Sequence, residues 1–282
     1  MTAADLRDQL ARCTLCPRHC GANRRKGELG FCGIGPEAVV ASAAPHFGEE
    51  SVLVGSGGSG TIFFSGCNLG CVFCQNHDIS HGRAGRQVSP ERLARLMLEL
   101  QAIGCHNVNW VTPTHQIAAV VEAFGLACEN GLRVPIVYNC GGYESVKTLR
   151  RIEGIVDIYM PDAKFVRTET AARYLNAPDY PAAMKAAVLE MHRQVGDLEI
   201  RDGLAVRGLL VRHLVMPNGV EESEAILGFL AEEVSPKTYV NVMGQYRPYF
   251  RASEFADIAR PVSAAEYLAV CEHAERLGLR LP

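Results

Sequence analysis

The sequence predicts an α/β fold around a parallel sheet, either doubly wound or curled into a barrel. Six short apolar runs suit strands: TIFFS (61–65), NVNWVT (107–112), VPIVYN (134–139), IVDIYM (155–160), LLVRHLVM (209–216) and TYVNVM (238–243). Segments of helical periodicity lie between them, and strands alternating with helices give parallel pairing. At 282 residues the chain is long enough for one large domain of this class, or for one with a small appendage.

Residues 1–58 lack the alternation and read as an N-terminal extension, joined through the glycine-rich VGSGGSG stretch to a main domain over 59–282. In the main domain Ser89-Pro90 starts a helix. Its apolar residues Leu93, Leu96, Met97, Leu100 and Ile103 follow helical spacing, and Gly104 ends it. Further helices are expected near 115–130, 145–153, 179–195, 221–234 and 263–277. LEIRDGLAVRG, with Asp202-Gly203 between alternating runs, predicts a β-hairpin, read as a peripheral insertion before the fifth strand.

A formal net charge of −3 gives no reason to expect a nucleic-acid or membrane partner, and the basic GANRRK segment reads as solvated surface. No apolar run approaches the ~18 residues of a membrane span. The start, MTAADLRDQLAR, lacks the apolar stretch of a signal peptide, so a cytoplasmic location is expected. Eleven cysteines in such a chain argue for metal ligation over disulfides. Seven fall into two groups, Cys13, Cys16, Cys20, Cys32 and Cys67, Cys71, Cys74, while Cys105, Cys128, Cys140 and Cys271 are scattered among helices and strands.

GCNLGCVFCQN (66–76) places three cysteines directly after the first strand, where functional loops of parallel α/β folds sit. A cubane of four irons and four sulfides is normally held by four thiolates. Three leave one iron open to another ligand. The alternatives are a zinc site completed by a residue such as His77 or His81, or three reduced thiols.

Cys67, Cys71 and Cys74, with Phe73 before the last, resemble the signature of the radical S-adenosylmethionine (SAM) enzymes. GTIFFSGCNLGCVFCQNHDISH is similar to the branch of pyruvate formate-lyase activating enzymes, in particular the PflX-type proteins. CTLCPRHCG, TPTHQ, YNCGGY, PDAK, RHLVMPNG and NVMGQYRP extend the likeness over almost the whole chain. The resemblance implies a partial (β/α)6 barrel with a [4Fe-4S] cluster at its mouth. There SAM would chelate the open iron, and one electron would release a 5′-deoxyadenosyl radical for hydrogen abstraction. Activation of a glycyl radical enzyme, and a flavodoxin or ferredoxin as reductant, are implied in turn. Radical modification of a peptide or small molecule is the alternative, and a non-catalytic iron-sulfur protein of electron transfer or regulation is a third.

By the same resemblance, Thr112, Thr114 and His115 stand where the family has a Gly-Gly-Glu segment holding the SAM amino group. Asn139 and Gly141-Gly142 end the third strand and face the cofactor. Asp162 and Lys164 match an Asp-Leu-Lys motif that contacts SAM. On the fifth strand one of Arg212 and His213 must point inward, and Arg212 suits the SAM carboxylate. GQYRPYFRASEF, whose Gln245 is a candidate cofactor contact, is a candidate for closing over substrate. The four N-terminal cysteines suit either zinc or an auxiliary iron-sulfur cluster.

Overall fold

The structure is a computed structural model that describes residues 3–282. Its nine strands are β1 (Ala38–His46), β2 (Ser59–Phe64), β3 (Arg86–Val88), β4 (Val108–Val111), β5 (Ile136–Cys140), β6 (Ile158–Pro161), β7 (Glu199–Arg201), β8 (Leu204–Leu214) and β9 (Tyr239–Met243). Six run parallel in the order β2-β4-β5-β6-β8-β9, one for each apolar run. Among the described residues no ladder joins β9 to β2. The sheet is therefore an open, partial (β/α)6 barrel.

Around it lie α1 (Ala3–Asp8), α2 (Ser51–Val54), α3 (His77–Ser80), α4 (Pro90–Ile103), α5 (Ile117–Glu129), α6 (Val146–Arg151), α7 (Thr168–Leu175), α8 (Tyr180–Val195), α9 (Val220–Phe229) and α10 (Ala264–Arg276). The Ser89 hydroxyl accepts from the Arg92 N–H to start α4, and Gly104 ends it at φ 102°, the left-handed cap that glycine adopts without strain. Ser263 and Glu266 form a capping box on α10. Leu93, Met97 and Leu100 turn the apolar stripe of α4 into the core.

Two expectations are corrected. The described part of the N-terminal extension does not stand apart, because β1 pairs antiparallel with β2, Ala43 opposite Ile62 and His46 opposite Ser59, and β3 pairs with β1. Nor does VGSGGSG act as a free linker: the Gly58 N–H donates to the Val54 carbonyl at 2.8 Å and the Gly57 N–H to His106 Nε2 at 2.9 Å. A Cβ on Gly57 would meet the Gly104 carbonyl oxygen at 2.0 Å. Glycine here allows close packing of backbone on backbone, which composition alone does not distinguish from flexibility.

The hairpin forms as expected, with Asp202 and Gly203 both at positive φ. It is no separate insertion, since its second arm continues unbroken as β8 into the barrel.

Candidate functional site at the barrel mouth

A cavity of about 480 Å³ opens at the carboxyl ends of the parallel strands, within the usual range for small-molecule sites. Cys67, Cys71, Phe73 and Cys74 line it, together with Thr112, Asn139, Asp162, Lys164, Arg212 and Gln245. The loop that carries the cysteines leaves β2 at Gly66, where φ is 77°. A Cβ there would meet the Cys32 carbonyl oxygen at 2.8 Å. The loop is then pinned by its own amides: the Gly70 N–H donates to the Leu175 carbonyl and the Val72 N–H to that of Tyr174, each at 2.9 Å. Phe73 packs edge-on against Phe165 and Tyr246.

Burial pushes the Cys67 thiol up to about 12 and raises that of Cys71. Thiols held this way ionise when a cation takes the thiolate, as metal ligands do. Among the described residues no three Cys, His, Asp or Glu side chains surround one point at single-ion distances. A cubane does not require that, because each thiolate binds its own iron. Three cysteines beside a cavity of this size therefore fit a site-differentiated cluster with a bound small molecule.

Charge in the cavity is organised around Asp162. Arg212 Nε donates to Asp162 Oδ1 at 2.8 Å, Lys164 Nζ to Oδ2 at 2.6 Å, and Arg212 Nη2 to Asn139 Oδ1 at 2.7 Å. Burial alone would raise the Asp162 carboxyl, but Arg212 and then Lys164 outweigh it and hold it below its ordinary value. His213 faces the other way, as strand alternation requires. Its Nδ1 lies 2.7 Å from the Ala163 carbonyl oxygen and its Nε2 2.8 Å from the Ser223 hydroxyl, and burial pushes its pKa down to about 4.

The loop after β9 does reach the mouth. Gln245, Tyr246, Arg247 and Tyr249 line the cavity. The Arg251 N–H donates to the Val72 carbonyl at 2.9 Å, and Phe250 stacks on His77 and His81. Those two histidines thus pack against this loop.

Thr114 and His115 are not at the cavity, and here the residue-by-residue transfer is corrected. Thr112 sits at φ 59° and turns the chain out of β4 into a 3₁₀ turn over Thr114–Gln116, whose side chains are buried. Thr114 donates to Glu144 Oε1 at 2.7 Å. His115 Nε2 lies 2.8 Å from the Ser65 carbonyl oxygen. Burial raises the Glu144 carboxyl to about 7, even though it accepts hydrogen bonds from Thr114 and Tyr138.

Glu49 and Glu50 were not foreseen. They follow β1 and line the cavity, Glu50 accepting from Asn241 Nδ2 at 2.5 Å and Glu49 lying 3.7 Å from Arg212. Nothing in the FGEE stretch marks it for the barrel interior, since the antiparallel pairing of β1 brings it there.

The four N-terminal cysteines share a small separate cavity with Arg24, His115 and Asn68. Cys13, Cys16 and Cys32 are buried and Cys20 is exposed.

An open parallel barrel with three cysteines and a charged small-molecule cavity at its mouth suits an iron-sulfur cluster beside an organic ligand. The sequence pattern of the Radical SAM superfamily matches residues 61–230, and the chain belongs to that superfamily. It is 32% identical to the uncharacterized protein MJ0674 of Methanocaldococcus jannaschii over 98% of this chain and 80% of that one. It is 24% identical to the uncharacterized protein MJ0808 of the same organism, over 88% and 74%. Among solved structures, native anSMEcpe with bound AdoMet and Cp18Cys peptide shares the fold at a TM-score of 0.52 and 10% identity, covering 75% of this chain. The chain spans 56% of anSMEcpe's length. The protein is thus a radical SAM enzyme, a class defined by a [4Fe-4S] cluster and SAM. No helix of the described residues is long and apolar enough to cross a membrane.

Proposed function

We propose that the protein cleaves SAM reductively at a cluster held by Cys67, Cys71 and Cys74, and that the product radical takes a hydrogen atom from a substrate at the barrel mouth. The observation that carries this reading is the joint placement of the three cysteines with Asp162, Lys164 and Arg212 on one cavity. The bound cluster and SAM supply the one-electron cleavage to methionine and 5′-deoxyadenosyl radical. The chain positions and shields. Asp162 fixes Arg212 and Lys164, and Arg212 Nη1, engaged by neither Asp162 nor Asn139, lies 3.7 Å from Glu49. Thr112, Asn139 and Gln245 present further polar groups, while Phe73 and the loop after β9 exclude water.

The PflX-type motifs support a glycyl radical enzyme as the acceptor, with a flavodoxin or ferredoxin as reductant. The second reading, radical modification of a peptide or small molecule, is favoured by the fold shared with anSMEcpe, whose structure holds AdoMet and a peptide. The N-terminal cysteines are read as a second metal site, iron-sulfur or zinc.

The test is anaerobic turnover with deuterated candidate substrates, followed by mass spectrometry of 5′-deoxyadenosine. Deuterium arriving from a glycine of a partner enzyme supports the first reading, and from a peptide or small molecule the second. Absence of SAM cleavage by the reduced, cluster-loaded protein would sink both.

A further inference from the structure

We propose that Cys13, Cys16, Cys20 and Cys32 hold a second iron-sulfur cluster, and that this cluster is the port through which an acidic one-electron carrier protein reduces the cluster at Cys67, Cys71 and Cys74. The proposal rests on reading those last three cysteines as the SAM site.

Arg24 is the first observation. It is 1% exposed, and its guanidinium donates to the carbonyls of Gly35 and His115 and approaches the Cys13 sulfur at 3.8 Å. No ion pair of Arg24 forms among the described residues. A buried cation with neutral partners is costly unless an anionic centre lies beside it. A cubane core on four thiolates is such a centre, since the thiolates outnumber the core's positive charge. His115 is the second. It is buried against the same cavity, and its Nδ1 has no hydrogen-bond partner.

The two cysteine groups lie on opposite sides of one short loop. Cys67 lines the large cavity and Asn68 the small one. The Asn68 carboxamide stands 3.9 Å from the Cys67 sulfur, and Arg18 Nε donates to the Asn68 carbonyl at 2.8 Å. The loop that carries Cys67 and Asn68 thus stands directly between the two sites. Such a path suits one-electron transfer.

The outer side of the N-terminal site has the character of a docking face. Cys20 is exposed, and Leu29 and Phe31 beside it are exposed apolar residues. Of the basic residues between 9 and 32, Arg12, Arg18, Arg25 and Lys26 reach the surface, Arg25 paired with Asp8 at 3.2 Å, and the one carboxylate in that stretch is Glu28. That charge complements an acidic carrier. In the step itself the carrier loses one electron, the N-terminal cluster gains it and passes it inward, and no bond or proton moves.

Metal and sulfide analysis of the anaerobically reconstituted wild-type chain should give about eight irons and eight sulfides, and of the Cys67→Ala, Cys71→Ala, Cys74→Ala variant about four of each. In the reduced wild type, EPR should show the two clusters broadening one another. With reduced flavodoxin as the probe, stopped-flow reduction at low salt should be at least tenfold slower in Arg25→Glu, Lys26→Glu, with iron content unchanged. Four irons in the wild type, or one zinc without sulfide at the N-terminal site, would overturn the second cluster. Two clusters without mutual broadening, or a reduction rate indifferent to the charge reversal, would overturn the port. A SAM-induced change in the EPR spectrum of the cluster at Cys67, Cys71 and Cys74 reports separately on the SAM site.

Discussion

Arg212 and Asp162 meet at the barrel mouth, Arg212 Nε donating to Asp162 Oδ1 at 2.8 Å, although they lie on different strands fifty residues apart. Lys164 binds the other carboxylate oxygen, so one acid fixes two cations beside the three cysteines. Replacing Asp162 or Arg212 with alanine should therefore weaken SAM binding and leave the cluster in place. Loss of a charge-assisted contact costs ~1.5–3 kcal/mol, roughly ten- to a hundredfold in affinity. Equilibrium dialysis with SAM, beside iron analysis, checks this, and unchanged affinity in both variants would remove these residues from the cofactor site.

The Cys67→Ala, Cys71→Ala, Cys74→Ala variant should lose reductive SAM cleavage altogether, because no cluster remains to bind SAM or deliver the electron. 5′-Deoxyadenosine is the product to measure, and its continued formation would falsify the assignment.

Gly66→Ala places a side chain at φ 77°, within 2.7 Å of Ile34 and 2.8 Å of the Cys32 carbonyl oxygen. The left-handed backbone alone costs an alanine about 1–2 kcal/mol, and each kcal/mol lowers Tm by about 2–4 °C in a chain of this size class. Thermal unfolding should show at least that loss, with reduced iron uptake because the cysteine loop is displaced. A variant as stable as the wild type would mean that the β2 exit is less tightly packed than the structure shows.

Glu144 carries a pH dependence. Burial raises its carboxyl to about 7, above the ordinary value of about 4.3 for a free glutamate, so between these values the folded state binds the extra proton. Stability from this group is complete at the acid end of that window and is lost as pH rises through 7, about 4 kcal/mol in all. Glu144→Gln should flatten the fall in unfolding free energy between pH 5.5 and 7.5, measured by urea denaturation. An equally steep fall in the variant would place the titration elsewhere.

The six parallel strands were legible because each is an apolar run bounded by helix caps and turns, signals that lie within a few residues of one another. The three cysteines were legible for the same reason, their spacing being fixed along one loop. Arg212 and His213 could be assigned to opposite faces by alternation alone, and the structure puts Arg212 in the cavity and His213 against Ser223. Thr114 and His115 were misplaced because the left-handed turn at Thr112, a residue with no particular preference for it, redirects the chain after β4.

By itself the sequence determined the parallel α/β core, the thiolate loop at the end of the first parallel strand and, through its family motifs, the radical SAM class, since periodicity and short spacings survive without coordinates. Only the tertiary structure decided that β1 joins the sheet and carries Glu49 and Glu50 to the cavity, that Asp162 ties Arg212 to Lys164, and that the N-terminal cysteines back onto the loop of Cys67. Each of these is a contact between segments far apart in the chain, set by strand register and by the packing of buried charge. Neither leaves a local mark in the order of residues.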